Sequence, residues 1–129
     1  MSECPSGEEY NPLLRKCVFK PIMKDWTEIY YWKDIDYMVK AQYDRKYPTI
    51  REVKEKYVLL GKLPRYQMDN EDIFMHLQAE KWSPRGEARE LIRKKGLNHT
   101  SMSVGDVICH PNEKRCFIVA PAGFEELLP

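Results

Sequence analysis

The sequence lacks the long apolar runs and the charge imbalance that would place it at once in a membrane or nucleic-acid class. It contains no run of about 18 apolar residues, the length a membrane-spanning helix needs. The opening stretch MSECPSGEEY has neither the basic nor the apolar region of a signal peptide. The formal net charge is only +1, so no overall field marks a binder of nucleic acid or membrane surfaces. We therefore expect a soluble, non-exported protein without membrane contact.

Internal repeats and low-complexity segments are also absent, which excludes solenoid and fibrous architectures. Hydrophobic residues make up 43% of the 129 residues and charged residues 32%, a balance typical of folded domains rather than disordered chains. A chain of this length buries one core. We predict an arm and linker at residues 1–24 and a single α+β domain at residues 25–129.

The four cysteines lack the C-x-x-C spacing that is typical of zinc and redox sites. They fall into two local pairs, Cys4 with Cys17 and Cys109 with Cys116. Several arrangements stay open: a disulfide within each pair, of which the Cys4–Cys17 bridge would close a loop of about fourteen residues, or free thiols in a reducing compartment. A candidate zinc cluster of all four cysteines, with His110 as an alternate ligand, is a further hypothesis. We expect no cofactor.

Periodicity and composition predict the strands. The stretches WTEIYYW, KYVLLGKL, SVGDVICH and RCFIVA are rich in β-branched, aromatic and leucine residues. Between the last two, PNEK predicts a hairpin turn centred between Asn112 and Glu113, which places Cys109 opposite Cys116. The tail GFEELLP is predicted to add an edge strand or a final turn.

Apolar spacing and capping signals predict four helices. The first spans residues 34–45 with an apolar stripe of Ile35, Met38, Val39 and Tyr43. The capping-box pattern TIRE starts a second helix, and Asp69 or Asn70 caps a third. A fourth helix begins after a cap at Ser83 and ends just before Gly96. The predicted fold is α+β: a small antiparallel sheet of about four strands, helices packed on one face, and a short N-terminal cysteine hairpin arm.

The stretch NHTSMSVGDVI contains the residue types of a catalytic triad. His99 would be the general base, Ser101 or Ser103 the nucleophile, and Asp106 the group that orients the histidine. Triad members normally converge from different elements, whereas these lie within eight residues of one another. A G-x-S-x-G nucleophile elbow is absent as well. We therefore expect no enzymatic activity.

The same stretch is more simply explained as a joint between a helix and a buried strand. Gly96 ends the helix, the short polar side chains of residues 98–101 hydrogen-bond to backbone groups, and Gly105 with Asp106 forms a bulge or tight turn. His99 then connects helix and sheet through a hydrogen bond. The remaining interpretation is a partner-binding loop on a rigid scaffold.

An aromatic and basic segment at residues 30–65 indicates an alternative function. Nine Lys or Arg stand there against five Asp or Glu. Aromatic residues are interleaved with them, among them Tyr30, Tyr31, Trp32, Tyr43, Tyr47 and Tyr57. Aromatic rings stack on bases and cations hold phosphates, so the alternative is a nucleic-acid-binding protein.

The stretch EDIFMHLQAEKWSPRGEARELIRKKGLNHTSMSVGDVI, residues 71–108, resembles a segment of small phage, virus and mobile-element proteins, the YodL-like group. The shared elements are W-S-P-x-G-E-A-R and H-T/R-S-x-S-V-G-D-V, and the likeness extends to Gly123 and Phe124. It marks a partner-binding or structural motif of Trp82, Glu87, Arg89, His99, Thr100, Ser101, Ser103 and Asp106. The resemblance implies a viral or phage origin and no particular activity.

A second stretch, CPSGEEYNPLLRKCVF, resembles the two-cysteine adaptor of large DNA viruses, C-P-x-G-x-x-x-N-P-x-T-x-R-C-V. Leu14 replaces the usual threonine, and Arg15 stands one place early. The adaptor is attached to peptidases and kinases and is thought to mediate their choice of partner. The two resemblances together imply a viral accessory or virion-associated protein, located in the host cytoplasm or the virion, that binds a viral or host protein.

Overall fold

Two antiparallel sheets organise the computed structural model, which describes residues 3–20, 25–64 and 68–129. The strands are β1 (Glu8–Asn11), β2 (Lys16–Phe19), β3 (Trp26–Tyr31), β4 (Val58–Pro64), β5 (Val107–His110), β6 (Arg115–Val119) and β7 (Phe124–Glu126). The helices are α1 (Ile35–Val39), which continues as a π-helical turn at Lys40–Asp44, then α2 (Ile50–Lys56), α3 (Asn70–His76), α4 (Ala79–Trp82) and α5 (Arg89–Lys94). In the described ranges, no helix is both long enough and apolar enough to cross a membrane.

The main sheet has five strands in the order β4-β3-β5-β6-β7, and every neighbouring pair is antiparallel. The α+β class is confirmed, but the predicted count of about four strands is too low because the tail forms β7 against β6. The predicted β5–β6 hairpin is confirmed, with Cys109 paired to Cys116. Its turn is a short 3-10 segment followed by Lys114 in the left-handed region.

Helices cover both faces of this sheet, so the prediction that they pack on one face is wrong. Ile29 and Tyr31 of β3 belong to a core with residues of α3, α4 and α5. Their neighbours Tyr30 and Trp32 belong to a second core, which includes Ala41 of the π-helical turn and Val53 of α2. The physical reason is that the central strands are apolar at successive positions, and such strands need cover on each side.

The apolar stripe predicted for the first helix does not face the core as a unit. Ile35, Val39 and Tyr43 are 55%, 38% and 76% exposed, while Ala41 is buried and Met38 packs against the second core. The π-helical turn at residues 40–44 widens the helix and changes which positions face inward. The positions spaced at i, i+4 and i+8, which are Ile35, Val39 and Tyr43, therefore lie on the solvent-exposed face of this helix.

Two of the predicted helix starts are confirmed by their caps. The Thr49 hydroxyl accepts from the Glu52 amide at 3.1 Å. Asp69 accepts from the Asp72 amide at 2.8 Å, so Asp69 rather than Asn70 is the cap of α3. In both helices the side-chain oxygen satisfies one of the amides that the first turn leaves without a partner.

The helix predicted from Ser83 to Gly96 begins late. Gly86 has a φ of +81°, which interrupts helical geometry, and α5 starts only at Arg89. The Ser83 hydroxyl accepts instead from the Ala88 amide at 2.9 Å. The predicted end is confirmed, since Gly96 follows the last turn with a φ of +71°.

The N-terminal residues 3–20, here called the cysteine arm, contain the hairpin of β1 and β2 and the Cys4–Cys17 disulfide. It is docked on the main sheet, because the Asn11 amide nitrogen donates to the Lys62 carbonyl of β4 at 2.8 Å and Leu13 is fully buried in the first core. The linker predicted after it includes residues 21–24, which lie outside the described residues.

Candidate functional site

The predicted motif is built around a buried pair formed by His99 and Asp106. His99 Nε2 lies 2.9 Å from Asp106 Oδ2 and 3.1 Å from Oδ1. The Asp106 side chain is fully buried, and the His99 side chain is 16% exposed. When Asp106 is ionised its carboxylate can only accept, and Nε2 is then the nitrogen that donates to it. The contact joins a loop residue to the residue that precedes β5.

Asp106 is also an acceptor for backbone amides from two parts of the chain. The Trp32 amide donates to Oδ1 at 3.0 Å, and the Ser103 amide donates to Oδ2 at 2.9 Å. Burial raises the pKa of the Asp106 carboxyl, while these amides and His99 act in the opposite direction by hydrogen-bonding its charged form. The carboxyl therefore connects the end of β3 to the loop before β5.

Aromatic rings fix the orientation of His99. Its imidazole stacks on Tyr31, with ring centroids 4.6 Å apart, and on Trp32, with centroids 4.1 Å apart. The angles between the ring planes are 12° and 16°. Stacked contacts of this kind add to the hydrogen bond in holding a ring in one orientation. Sequence reasoning missed both partners, because a position at the end of a strand does not indicate contact with a histidine that is distant in the sequence.

Residues 98–106 are here called the joint, and their other polar groups form hydrogen bonds with distant elements. The Thr100 carbonyl accepts from the Tyr31 hydroxyl at 2.8 Å, and the Ser101 hydroxyl accepts from the Ala79 amide at 2.8 Å. The Gly105 carbonyl accepts from the Tyr57 hydroxyl at 2.8 Å. Gly105 itself has a φ of +95°, a conformation that favours glycine. The joint thus connects the sheet to α4 and to the end of α2.

The triad hypothesis requires a hydroxyl at the second imidazole nitrogen, and the structure does not place one there. His99 Nδ1 is buried and has no hydrogen-bond partner among the described residues. The Ser101 hydroxyl is bonded to the amide of Ala79, the first residue of α4. The Ser103 hydroxyl lies 3.4 Å from Asp106 Oδ2 and is therefore at the carboxylate, not at Nδ1 of His99. The structure therefore brings together the base and the orienting acid of a triad without its nucleophile.

Of the remaining motif residues, Trp82 and Glu87 contact the cysteine arm. Arg15 Nη1 donates to the Trp82 carbonyl at 3.0 Å, and its Nη2 lies 3.4 Å from Glu87 Oε2. Glu87 also accepts from the Arg85 amide at 2.8 Å, and this bond, with a smaller contribution from Arg15, lowers the pKa of the carboxyl. The Arg89 side chain is exposed. Arg15, which stands one place early relative to the adaptor pattern, thus contacts both the backbone and a side chain of the other resembling segment.

A cleft of about 520 Å³ lies beside this contact, between the arm and α5. Its lining includes Tyr10 and Pro12 of the arm and Trp82 and Leu91 from the motif side. The cleft is open to solvent next to the exposed outer face of the arm. Its position makes the arm and the motif one continuous surface.

The cysteines form two separate disulfides, Cys4–Cys17 and Cys109–Cys116, and none of the four is free. The second bridge joins directly opposite residues of β5 and β6. The sulfurs lie in separate hairpins, so the zinc cluster that their number suggested does not form. Among the described residues, no other group of histidine, cysteine, aspartate and glutamate side chains is arranged to hold a metal ion.

The aromatic and basic segment at residues 30–65 is divided between core and surface. Four of its seven aromatic residues are buried: Tyr30, Tyr31, Trp32 and Tyr57. Tyr43 is the strongly exposed one, and the described lysines and arginines of the segment are exposed. The segment therefore has surface cations but only one well-exposed ring for base stacking.

Comparison of the chain with protein-family models, with curated proteins and with solved structures gives no match. The joint connects several elements of the fold, whereas the cysteine arm and the cleft beside it are exposed surfaces.

Proposed function

We propose that this is a small viral accessory or virion-associated protein that works by binding a viral or host protein through the cysteine arm. The observation that carries the proposal is a pair of exposed aromatic side chains, Tyr10 and Phe19, on the outer face of the arm. The viral setting rests on the two sequence resemblances. We further propose that it acts without catalysis, as expected of an adaptor.

The alternation of side chains along the arm separates an inner from an outer face. Asn11 and Val18 are buried against the domain. Tyr10 and Phe19 lie on the opposite face and are 47% and 61% exposed. Aromatic residues are enriched at the centres of protein interfaces, where they contribute large apolar contact areas. An exposed aromatic pair on the outer face of a docked hairpin is thus typical of a contact surface.

The arm is held in one conformation before any partner binds. The Cys4–Cys17 bridge closes it, and the Asn11 side chain accepts from the amides of Leu13 and Leu14, each at 3.0 Å. A surface that is already ordered loses less conformational entropy on binding. This rigidity supports a role for the arm in recognition.

The joint supports the same proposal by what it already does. Its His99 and Asp106 side chains bond within the fold, and its Thr100 and Gly105 carbonyls accept from core tyrosines. Groups engaged in this way are not free to recognise a partner. We therefore assign recognition to the arm and stabilisation to the joint.

The test compares affinity capture from infected cells with wild-type bait and with a Tyr10→Ala/Phe19→Ala bait. Met75→Ala is the matched control, because Met75 is 61% exposed, the same fraction as Phe19, and lies on α3. A partner captured by the wild type and the control should be lost with the double variant. Purified partner should bind the double variant at least about tenfold more weakly, since hot-spot residues each contribute more than 1 kcal/mol. Equal affinity of all three proteins would overturn the proposal.

One observation favours the alternative, a nucleic-acid-binding protein. Tyr43 projects from the π-helical turn beside the exposed residues Lys40, Arg45 and Lys46. Fluorescence anisotropy with single-stranded and double-stranded oligonucleotides at two salt concentrations tests it. Micromolar affinity that falls steeply with salt, and weakens in Tyr43→Ala, would support this alternative.

A further inference from the structure

We propose that the cleft between α2 and the β5–β6 hairpin, here called the disulfide cleft, binds a small amphiphilic organic anion: an apolar alkyl or aryl body with one carboxylate or sulfonate group. The cleft has a volume of about 640 Å³. Pockets for small organic ligands typically measure about 300–1,000 Å³ and are mostly apolar with a few polar groups. The disulfide cleft has both properties.

The apolar part of the cleft comes from three segments of the chain. The Cys109–Cys116 bridge lies at its bottom, where both residues are almost fully buried. Ile50 from the start of α2, Pro111 from the hairpin turn and Pro129 complete the apolar lining. The amide of Ile50 donates to the Leu128 carbonyl at 2.8 Å, which fixes the C-terminal segment against α2. None of these lining side chains carries a charge, so they suit an apolar ligand body.

The charged part of the lining is predominantly cationic. Arg51 and Lys54 of α2 and Lys114 of the hairpin turn line the cleft, and Glu55 is the acid among the lining residues. Within the described part of the chain, none of the three cations forms an ion pair. Exposed cations beside an apolar lining complement a ligand that is apolar at one end and anionic at the other.

A fourth cation in the lining is already occupied. Arg115 makes a bidentate contact with Glu126, with Nη2–Oε1 at 2.9 Å and Nε–Oε2 at 3.0 Å. This contact raises the pKa of Arg115 and lowers that of Glu126. Arg115 is thus held at the side of the cleft, and the unpaired cations remain for the ligand. The small net positive charge suits a ligand with one anionic group rather than a polyanion.

The disulfide cleft is independent of the proposed arm surface. Leu13 of the arm belongs to the core on one sheet face, whereas Cys109 and Cys116 belong to the core on the other. A ligand in the cleft therefore leaves the Tyr10 and Phe19 face free. Failure of either proposal would leave the other unaffected.

The test uses 8-anilino-1-naphthalenesulfonate, an aryl sulfonate that fluoresces when bound in an apolar site, in buffer without reductant so that the Cys109–Cys116 bridge stays intact. The Lys54→Glu/Lys114→Glu variant reverses two cations of the cleft. Lys62→Glu/Lys94→Glu is the matched control, because both lysines are exposed and lie outside the cleft lining. Circular dichroism checks that each variant is folded.

We expect the wild type and the control to bind one equivalent of the probe, and the cleft variant to bind it at least about tenfold more weakly. Decanoate should displace the probe, and the amide shifts that it causes in nuclear magnetic resonance spectra should lie at Arg51, Lys54 and Lys114. The proposal is overturned if the folded wild type does not bind the probe, if charge reversal leaves the affinity unchanged, or if the shifts map to the arm instead.

Discussion

The buried pair of the joint leads to a double-mutant cycle with His99→Ala, Asp106→Ala and the double variant. Removal of His99 deletes a hydrogen bond to a buried carboxylate, an interaction with a net contribution of about 1.5–3 kcal/mol. It also deletes the stacking on Tyr31 and Trp32, where each aromatic pair contributes about 0.5–1.5 kcal/mol beyond area burial. We therefore expect His99→Ala to lower the free energy of unfolding by about 3 kcal/mol.

Asp106→Ala should cost more, about 4 kcal/mol, because it leaves two buried amides, those of Trp32 and Ser103, without their acceptor. Since both single variants remove the same contact, the double variant should lose only about 5 kcal/mol. The coupling between the two residues is then about 2 kcal/mol, well above the scatter of about 0.3–0.5 kcal/mol expected for independent sites.

Equilibrium unfolding in urea, followed by tryptophan fluorescence and circular dichroism, measures these free energies. His76→Ala is the matched control. His76 Nε2 lies 2.8 Å from the Leu13 carbonyl, and no ring stacking is found for His76 in the described structure, so its loss should be about 1 kcal/mol. A loss below 0.5 kcal/mol for His99→Ala, on the order of an ordinary surface substitution, would refute a structural role for the pair. Additive single effects would refute the coupling.

Three further predictions concern a turn, a disulfide and a buried tyrosine. Gly105→Ala should destabilise by about 3 kcal/mol in urea unfolding, because its φ is +95° and an added Cβ would lie 3.0 Å from a backbone carbon. Gly123→Ala, with a φ of +80° and open space around it, should cost only about 1 kcal/mol, and equal losses would contradict the packing argument. Replacement of Cys4 and Cys17 by Ser should lower stability by about 3 kcal/mol. Complete reduction of the wild type should add the mass of four hydrogens, and a smaller gain in intact-mass measurement would mean that a bridge is missing. Burial and a neighbouring carboxylate raise the pKa of Tyr30 to about 12, so the folded state holds this proton more tightly than the unfolded chain, whose tyrosine pKa is about 10. This contribution to the free energy of unfolding is complete below about pH 10 and is lost as pH rises through about 12. The difference in unfolding free energy between wild type and Tyr30→Phe should therefore shrink over this interval. A constant difference would argue against a raised pKa of Tyr30.

Local signals predicted the elements whose causes are local. The Thr49 and Asp69 caps each depend on an amide three residues away, and the β5–β6 pairing depends on a short turn. Each of these features could therefore be predicted from a few neighbouring residues. The late start of α5 could not be predicted in this way. Gly86 adopts a left-handed conformation, and this outweighs the signals of a Ser-Pro helix start. Helix signals are additive preferences, and one residue that leaves helical geometry can override several of them.

The contacts of the candidate residues could not be predicted from the sequence. The resemblance marked His99 and Asp106 together, yet the stacking on Tyr31 and Trp32 depends on a strand placed beside the joint by the tertiary fold. The bond between Arg15 and Trp82 joins segments that no local pattern relates. Periodicity shows that a residue faces inward, and it does not show which distant residue it meets.

The docking of the cysteine arm has a consequence for how the protein behaves in concentrated solution. β4 is an edge of the main sheet, and free edges are templates for pairing with strands of other molecules. The arm covers part of this edge, because the Asn11 amide nitrogen donates to the Lys62 carbonyl. Leu13 also packs closely on Gly61, where an added Cβ would lie 3.0 Å from Leu13 Cδ1. The segment proposed to recruit a partner therefore also covers part of this edge, and we expect its detachment to leave the edge open to pairing with strands of other molecules.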